Sequence, residues 1–374
     1  MRHQLFLSVV WVLLFYTSCS QEESEGLSSV DYICFSIPSV SVEKSARSTF
    51  YDVFPEGGSF GVLGYCVPYQ RGTTERDWGS GASMWDIKKV NAFPDVFYKQ
   101  KVTYNGTSCS YTYTGEGADK NLKKWYNAQD NPEATDSDNF RYTFFAYYPY
   151  DAFKIDAPVN ASTIDAPKIT FTMPFEEKNT SLLDDEKIPD AMIAVEYNHL
   201  RTSGNISFNF SHILVGLGFV VNNYNYGEDE TITIKSITLS GEFTRSMTID
   251  FNKNTNDADF YTCSGTYSGV YKIFDGAKEV KANESVNPSG KYLLLLSDAS
   301  GGTYFGKNIK VEVIYTYKGK EKRAEAERPS DFMPRSGVKY TANLNFVGET
   351  FLLNFVAATG GAWDDGGDSG ITIQ

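Results

Sequence analysis

The sequence has little of what enzymes and metalloproteins use. It contains three histidines and five cysteines in 374 residues. HExxH, CxxC and glycine-rich phosphate loops are all missing, which argues against zinc enzymes, thioredoxin-like proteins and nucleotide-binding proteins. His212 lies in an apolar stretch and is expected to be a hydrogen-bonded structural residue. A pair of catalytic carboxylates has no fixed spacing in a sequence, because the two residues meet only in the folded protein. A secreted hydrolase is therefore the least favoured interpretation of this sequence. No cofactor is expected.

Positive charge is also scarce. There are 34 Lys and Arg residues against 47 Asp and Glu residues, which gives a net charge of −13. A protein that binds phosphate backbones needs a basic face, so nucleic acid is excluded as a partner.

Long hydrophobic runs are confined to the first residues. Leu5 to Tyr16 is a nearly unbroken apolar run behind Arg2, and two small residues follow it. Twelve residues of helix span roughly 18 Å, which is too short for the ~30 Å hydrocarbon core of a bilayer. The layout is typical of a secretory signal, so residues 1–18 are predicted to be a signal peptide.

The residue that follows this run is Cys19. Small residues directly before a cysteine resemble a bacterial lipobox, although Tyr16 stands where leucine is usual. The resemblance implies that the Cys19 thiol is acylated and anchors the protein. Residues 19–27 are polar and acidic, and they predict a lipidated tether. They also resemble the signal that sends lipoproteins of Bacteroides-type bacteria to the outer face of the outer membrane.

Four further cysteines, Cys34, Cys66, Cys109 and Cys263, allow two interpretations. An exported chain can pair them, but four cysteines have three connectivities and the sequence does not choose among them. Buried thiols are the alternative. If a disulfide forms, we expect it within the N-terminal domain, which leaves Cys263 outside it.

Strand-like alternation runs along much of the chain. "KITFTMPF" places Ile169, Phe171 and Met173 on one face, and "VKYTANLNF" repeats the pattern from Val338 to Phe346. Asn105-Gly106 and Lys318-Gly319 each separate two alternating stretches and predict hairpins. The stretch "ADKNLKKWYNA" predicts either a short helix or a loop. Long amphipathic helices are hard to find, so the predicted fold class is all-β.

A polar, turn-rich stretch between Asn179 and Asn205 predicts a domain boundary. Strand-rich blocks of similar length flank it, and each is large enough for one β-sandwich. The predicted domains are therefore residues 28–190 and residues 191–374.

Several stretches, taken in order, resemble the fimbrillin family, the lipoprotein subunits of type V pili. They are "FYTSCS", "GGSFGVLGY", "KKWYNAQDN", "FRYTFFAYYPY", "IPDAMIA", "ISFNFSHILVGLGFVV", "GVKYTANLNF" and the segment around Trp363. The resemblance implies two tandem transthyretin-like Greek-key β-sandwich domains and a structural or adhesive role at the cell surface, in a fimbrium.

The resemblance also implies a mode of assembly. Fimbrillins of this type are cut after an arginine near the start of the first domain, which removes a strand and opens a groove for a strand of another subunit. Here Ile33, Phe35 and Ile37 alternate ahead of Arg47, and Pro38 is tolerable in an edge strand. The expected partners are other fimbrial subunits, the outer membrane through its lipid anchor, and a host or bacterial surface ligand. The terminal "ITIQ" is a short candidate donor strand, although Arg47 as a simple loop charge stays an alternative.

The competing interpretation is a carbohydrate-binding surface lipoprotein. Exposed aromatic rings can stack on sugars, and the candidates are Trp78, Trp85, Trp125 and Tyr126.

Overall fold

The computed structural model of the chain is built from β-strands, as predicted. It describes residues 31–41, 53–67, 94, 96–115, 118–126, 140–155, 168–227, 230–251, 253, 259–297, 306–330, 332–348 and 350–357. These residues contain no α-helix, only two 3₁₀ turns at Asp185–Lys187 and Arg201–Ser203. Within the same residues, no helix has the length and apolar character that crossing a membrane requires.

Twenty-one strands follow one another within the described residues. They are β1 (Ser39–Val40), β2 (Ser59–Val67), β3 (Phe97–Tyr104), β4 (Cys109–Ser110), β5 (Ala118–Asp119), β6 (Leu122–Lys123), β7 (Arg141–Tyr148), β8 (Phe153–Ile155), β9 (Lys168–Thr172), β10 (Lys178–Leu183), β11 (Met192–His199), β12 (Asn209–His212), β13 (Val215–Asn223), β14 (Ile232–Asp250), β15 (Tyr261–Val280), β16 (Glu284–Val286), β17 (Leu293–Leu295), β18 (Gly306–Tyr317), β19 (Lys320–Glu327), β20 (Lys339–Val347) and β21 (Thr350–Ala357).

The strands form three large sheets and one small one. The first sheet has the order β1-β12-β11-β7-β2-β3-β4. The second has the order β10-β15-β14-β18-β19, with β9 paired to the far end of β14 and β8 paired to β9. The third has the order β16-β13-β20-β21, with β17 also on β13. Strands β5 and β6 pair with each other alone.

The buried apolar residues divide into two cores. The first core includes Phe35, Phe60 and Phe210 and lies on one face of the first sheet. The second core includes Leu239 and Phe346 and lies between the second and third sheets. It also extends to the other face of the first sheet.

Strand β7 is where the two cores meet, because every one of its residues is buried. Phe144 and Ala146 belong to the first core, whereas Phe145 and Tyr147 belong to the second. The Phe145 ring stacks on Phe251, with ring centroids 4.3 Å apart. Since successive side chains of a strand point to opposite faces, a strand with no polar face must be covered on both sides.

The faces predicted around Ile169 and Val338 and the two predicted hairpin turns are confirmed. Ile169, Phe171 and Met173 are all buried, as are the alternate residues from Val338 to Phe346. Lys318 and Gly319 both have positive φ and join β18 to β19 in a two-residue turn. Asn105-Gly106 begins the loop that joins β3 to β4.

The stretch "ADKNLKKWYNA" is neither a helix nor a simple loop. Lys120 and Asn121 have positive φ and form the turn between β5 and β6. Two consecutive left-handed residues are what a tight hairpin requires, and asparagine adopts that conformation readily.

The sheets do not divide at residue 190. Strands β11 and β12, which follow it, complete the first sheet, whereas β8, β9 and β10, which precede it, join the second. The chain therefore crosses to the second sheet and returns before it builds the rest of that sheet. The division into two domains stays a prediction.

The four cysteines after Cys19 are buried thiols in the structure. This is the second of the two alternatives that the sequence leaves open. Cys109 Sγ donates to the carbonyl oxygen of Ser36 at 3.3 Å.

The position of β7 predicts which substitution destabilises the protein most. Phe145→Ala removes a ring that packs in the second core, so we expect the free energy of unfolding to fall by about 3–5 kcal/mol. Leu182→Ala changes an exposed strand residue and should stay within about 0.5 kcal/mol. Urea titration followed by tryptophan fluorescence measures both. Equal effects of the two substitutions would contradict the shared role of β7.

Candidate functional site: the N-terminal edge segment

Residues 31–41, called here the edge segment, form one border of the first sheet. Strand β1 runs parallel to β12, with Ser39 opposite Asn209 and Val40 opposite Phe210. An isolated parallel bridge joins Phe35 to Ile206. The segment is therefore an edge strand, and its loss would expose the edge of β12.

Backbone hydrogen bonds tie the edge segment to its neighbours on two sides. Four of them join it to residues 206–210: Ile206 N to Cys34 O at 2.8 Å, Ser36 N to Ile206 O at 2.8 Å, Ser39 N to Phe208 O at 2.9 Å and Ser41 N to Phe210 O at 2.8 Å. Two more join it to residues 123–125: Ile33 N to Lys123 O at 2.9 Å and Trp125 N to Asp31 O at 3.2 Å.

The segment is an irregular strand. Phe35 opposes Ile206 and Ser39 opposes Asn209, so four steps along the segment match three along its partner. One extra residue is accommodated between them, as in a β-bulge. Pro38 lies in this stretch and has no N–H to donate.

The bulge changes which side chains point inward. Ile33 and Phe35 are buried, but Tyr32 and Cys34 are buried too, and Ile37 is 48% exposed. The prediction that Ile37 shares their face is wrong, because the extra residue shifts the alternation and Pro38 becomes the next buried side chain.

Phe35 is the main apolar contact of the segment. Its ring lies among four others, which all belong to the first core. The centroid distances are 5.5 Å to Tyr111, 5.9 Å to Phe97, 5.9 Å to Phe208 and 6.2 Å to Phe60. Burial of one such side chain contributes about 1.5–3 kcal/mol.

The Tyr111 hydroxyl links the edge segment to the residues beside it. The Tyr111 hydroxyl donates to Ile33 O at 2.6 Å and accepts from Lys123 N at 3.2 Å. It therefore bridges the segment and its neighbour. The Lys123 ammonium lies over the rings of Tyr113 and Tyr126, at 5.1 and 4.7 Å from their centroids.

The first residues of the segment carry a surface ion pair. The Tyr32 hydroxyl donates to Asp119 Oδ2 at 2.8 Å, and Lys124 Nζ lies 2.7 Å from the same oxygen. The hydrogen bond from Lys124, with that from Tyr32, holds the pKa of Asp119 below its ordinary value. Beside the pair is an open cleft of about 250 Å³, lined in part by Trp125 and Arg201.

Trp125 was a candidate for sugar stacking, and the structure contradicts that role. It is 3% exposed and stacks on the His199 ring at 5.8 Å, with the edge of Tyr142 at 4.7 Å. Its faces are used in the first core. Tyr126 is half-buried against Lys123. Trp78 and Trp85 lie outside the described residues.

Both described histidines have structural partners. His212 Nδ1 lies 2.7 Å from Asp190 Oδ1, and both side chains are buried. The prediction of a hydrogen-bonded structural His212 is confirmed. His199 contacts Glu196 Oε1 at 3.1 Å and Gly204 O at 3.0 Å. No group of three or more His, Cys, Asp and Glu side chains within the described ranges is arranged to hold a metal ion.

The predicted site residues Cys19 and Arg47 lie outside the described residues, as do Trp363 and "ITIQ". The edge segment itself is described, and it ends six residues before Arg47.

Two neighbouring residues allow a matched test of the edge segment. Phe35→Ala removes the buried ring, so the segment should open locally more often while the rest of the fold persists. If the free energy of local opening of the edge segment falls by ~3 kcal/mol, the rate of amide exchange at Ser36, Ser39 and Ser41 should rise roughly 100-fold. Ile37→Ala should change the same amides less than about threefold, because Ile37 is exposed. Hydrogen-exchange mass spectrometry compares the two, and similar protection in both variants would rule out Phe35 as the anchor.

Comparison with solved structures finds several chains that match this one over most of its length. One is a provisionally assigned cell adhesion protein of Bacteroides uniformis, 13% identical, with a TM-score of 0.45, covering 88% of this chain and 98% of that one. Another, of Bacteroides ovatus and described in the same way, is 13% identical with a TM-score of 0.41 and covers 82% and 87%. A third, from Bacteroides thetaiotaomicron and provisionally named as polysaccharide binding, is 10% identical with a TM-score of 0.32 and covers 85% and 91%.

No curated protein matches the chain. The profile of one protein family does: its description is "Fimbrillin-like", and it matches residues 83–359. That span is 277 of 374 residues and includes most of the strands of all three large sheets. The chain therefore belongs to the fimbrillin-like family.

Proposed function

We propose that the chain is a surface-anchored fimbrial subunit that assembles by β-strand exchange. In this proposal a protease removes the edge segment, and a strand of another subunit takes its place beside β12. Membership of the fimbrillin-like family supports the coarser part, a fimbrial or adhesin-like subunit at the cell surface.

The observation that carries the exchange step is the way in which the edge segment closes the first core. It supplies the partners of residues 206–210 and fills the space around Phe60 and Phe208. Its loss leaves a row of unpaired backbone groups beside an apolar groove. Unpaired edges of this kind bind another strand.

The irregularity of the segment favours replacement. It runs parallel to β12, contains an extra residue and includes a proline. Parallel pairing is slightly weaker per residue than antiparallel pairing, and a bulge interrupts the ladder. A regular strand with apolar residues at alternate positions would make more backbone hydrogen bonds in the same groove.

The order of the sites along the chain links assembly to anchoring. Cys19 precedes the edge segment, and Arg47 follows it. A cut after Arg47 therefore separates both the lipid anchor and the segment from the rest of the chain. The uncut subunit is anchored and closed, whereas the cut one is released and open to a partner strand.

The carbohydrate-binding alternative loses one of its four candidate residues, because Trp125 is buried in the first core. Its other two tryptophan candidates, Trp78 and Trp85, lie outside the described residues. We therefore retain the fimbrial subunit as the proposed function.

Cleavage at Arg47 is tested with an Arg-specific protease on the folded protein. We expect a product that begins at Ser48. As its concentration rises, this product should form a ladder of polymers on an unheated gel. Arg47→Ala should prevent both, and Arg71→Ala is the control for a second nearby arginine. A synthetic peptide of residues 31–41 in excess should suppress the ladder, whereas a scrambled peptide should not. A cut product that stays monomeric with purified partner subunits rejects the exchange.

Lipidation is tested by cell fractionation. Cys19→Ala should move the protein from the membrane to the soluble fraction, because the thiol that receives the lipid is gone. Cys263→Ala changes a buried cysteine far from the anchor and should leave the protein in the membrane. Retention of the Cys19→Ala protein in the detergent phase would show that another group anchors it.

A further inference from the structure

Two tyrosines are exposed where strand β13 ends. Tyr224 is 49% exposed and Tyr226 is 86% exposed. Tyr224 N donates to Phe346 O at 2.9 Å, so the backbone continues beside β20 past the assigned end of β13. Val347, the next residue of β20, is 48% exposed. Three of the seven exposed large hydrophobic residues in the described part of the chain therefore lie together.

Buried asparagines fix the backbone that carries these tyrosines. Asn223 Nδ2 donates to Glu230 O at 2.7 Å and to Val280 O at 3.0 Å. The Asn225 side chain bonds both backbone groups of Gly348, as acceptor from its N–H and as donor to its carbonyl. Both asparagines are buried. Burying an amide is costly unless it is hydrogen-bonded, so these amides define one conformation of the loop.

An asparagine cluster adjoins the tyrosines on the outer face of the third sheet. Asn222 lies two residues before Tyr224 and opposite Asn345. Asn222 Nδ2 donates to Asn345 Oδ1 at 2.8 Å and to Asn343 Oδ1 at 3.3 Å. Both acceptors use their oxygens, so their amide N–H groups take no part in these bonds. The half-buried pair Asn343 and Asn345 thus presents donors to solvent.

Near the cluster, the described outward positions of this face carry no charge; Lys339, four residues before Asn343 on β20, is buried with its ammonium 5.7 Å from the centroid of the Tyr292 ring. The outward residues of β13, β20 and β21 near the cluster are Gly218, Val220, Asn222, Thr341, Asn343, Asn345, Val347, Leu352 and Asn354. The sequence around them is acidic, with Glu228, Asp229 and Glu349 close by along the chain. With a net charge of −13, the chain as a whole disfavours anionic ligands more than uncharged ones.

We propose that Tyr224, Tyr226 and the amides of Asn343 and Asn345 form a binding site for an uncharged oligosaccharide. A pyranose ring offers an apolar C–H face and a rim of hydroxyls. Tyrosine rings pack on the first, and asparagine amides donate to and accept from the second.

A protein partner fits this surface less well. The fully buried centre of a protein–protein interface is more apolar than its polar rim. Here the centre is amides, with the rings at one side. The site lies on the third sheet and uses none of the residues proposed for strand exchange, so it is a separate property of the subunit.

Affinity electrophoresis tests the site on the full-length chain without its first 18 residues. Native gels contain dextran, galactomannan or xyloglucan as neutral probes and alginate as the anionic one. We expect retardation by at least one neutral polymer and none by alginate. Tyr224→Ala/Tyr226→Ala should raise the apparent Kd at least tenfold, and Asn345→Ala should raise it several-fold. Tyr226→Phe retains the ring and should bind nearly as well as the parent protein.

Met333→Ala is the matched control, because Met333 is as exposed as Tyr224 but lies in another loop. It should leave the retardation unchanged. The altered tyrosines are exposed, so the thermal unfolding curve of the double variant should match that of the parent protein. Absence of retardation in every neutral gel overturns the proposal. The proposal is also overturned if the neutral polymers retard the double variant as much as the parent protein. It is likewise overturned if the only defect of the double variant is weaker association with other subunits. Polymer formation after cleavage is scored separately and should be normal in the double variant.

Discussion

Complete burial of strand β7 is the constraint on which the rest of the structure depends. Phe144 and Ala146 face the first core while Phe145 and Tyr147 face the second, so the first sheet lies between the two cores and packs against both. A lone sheet cannot cover both of its faces, and each needs a further layer. The chain covers one side with β8, β9 and the end of β14. On the other side, the edge segment and residues 104–115 and 118–126 contribute side chains to the first core.

The packing of the first sheet on both faces explains why the order of the strands in the sheet differs from their order in the sequence. Strand β7 needs neighbours on both sides, and it finds β2 before it in the sequence and β11 after it. Strands β8 to β10 lie between β7 and β11 in the chain but pair in the second sheet. The strand pairing therefore crosses residue 190 in both directions.

Local rules succeed in this chain where the cause is local. The Lys318-Gly319 turn follows from two residues that accept positive φ, and the face of Ile169 and Phe171 follows from period-two alternation. They fail where distant parts decide the outcome. Ile37 points outward because one extra residue is fitted against β12. Trp125 is buried because His199 and Tyr142 cover its faces. The exposed tyrosines after β13 look, in the sequence, like any other aromatic residues of a strand-rich chain.

The position of the edge segment limits what its removal can do. In the first sheet, β12 and β11 separate it from β7, and all of its buried apolar residues belong to the first core. Loss of the segment should therefore open only the face of the first sheet that carries the first core, and the packing of Phe145 against Phe251 should stay in place. We therefore expect the second core and the third sheet to keep their structure if the segment is exchanged as proposed. The surface around Tyr224 and Tyr226 adjoins that third sheet, so exchange at the edge segment should leave it unchanged.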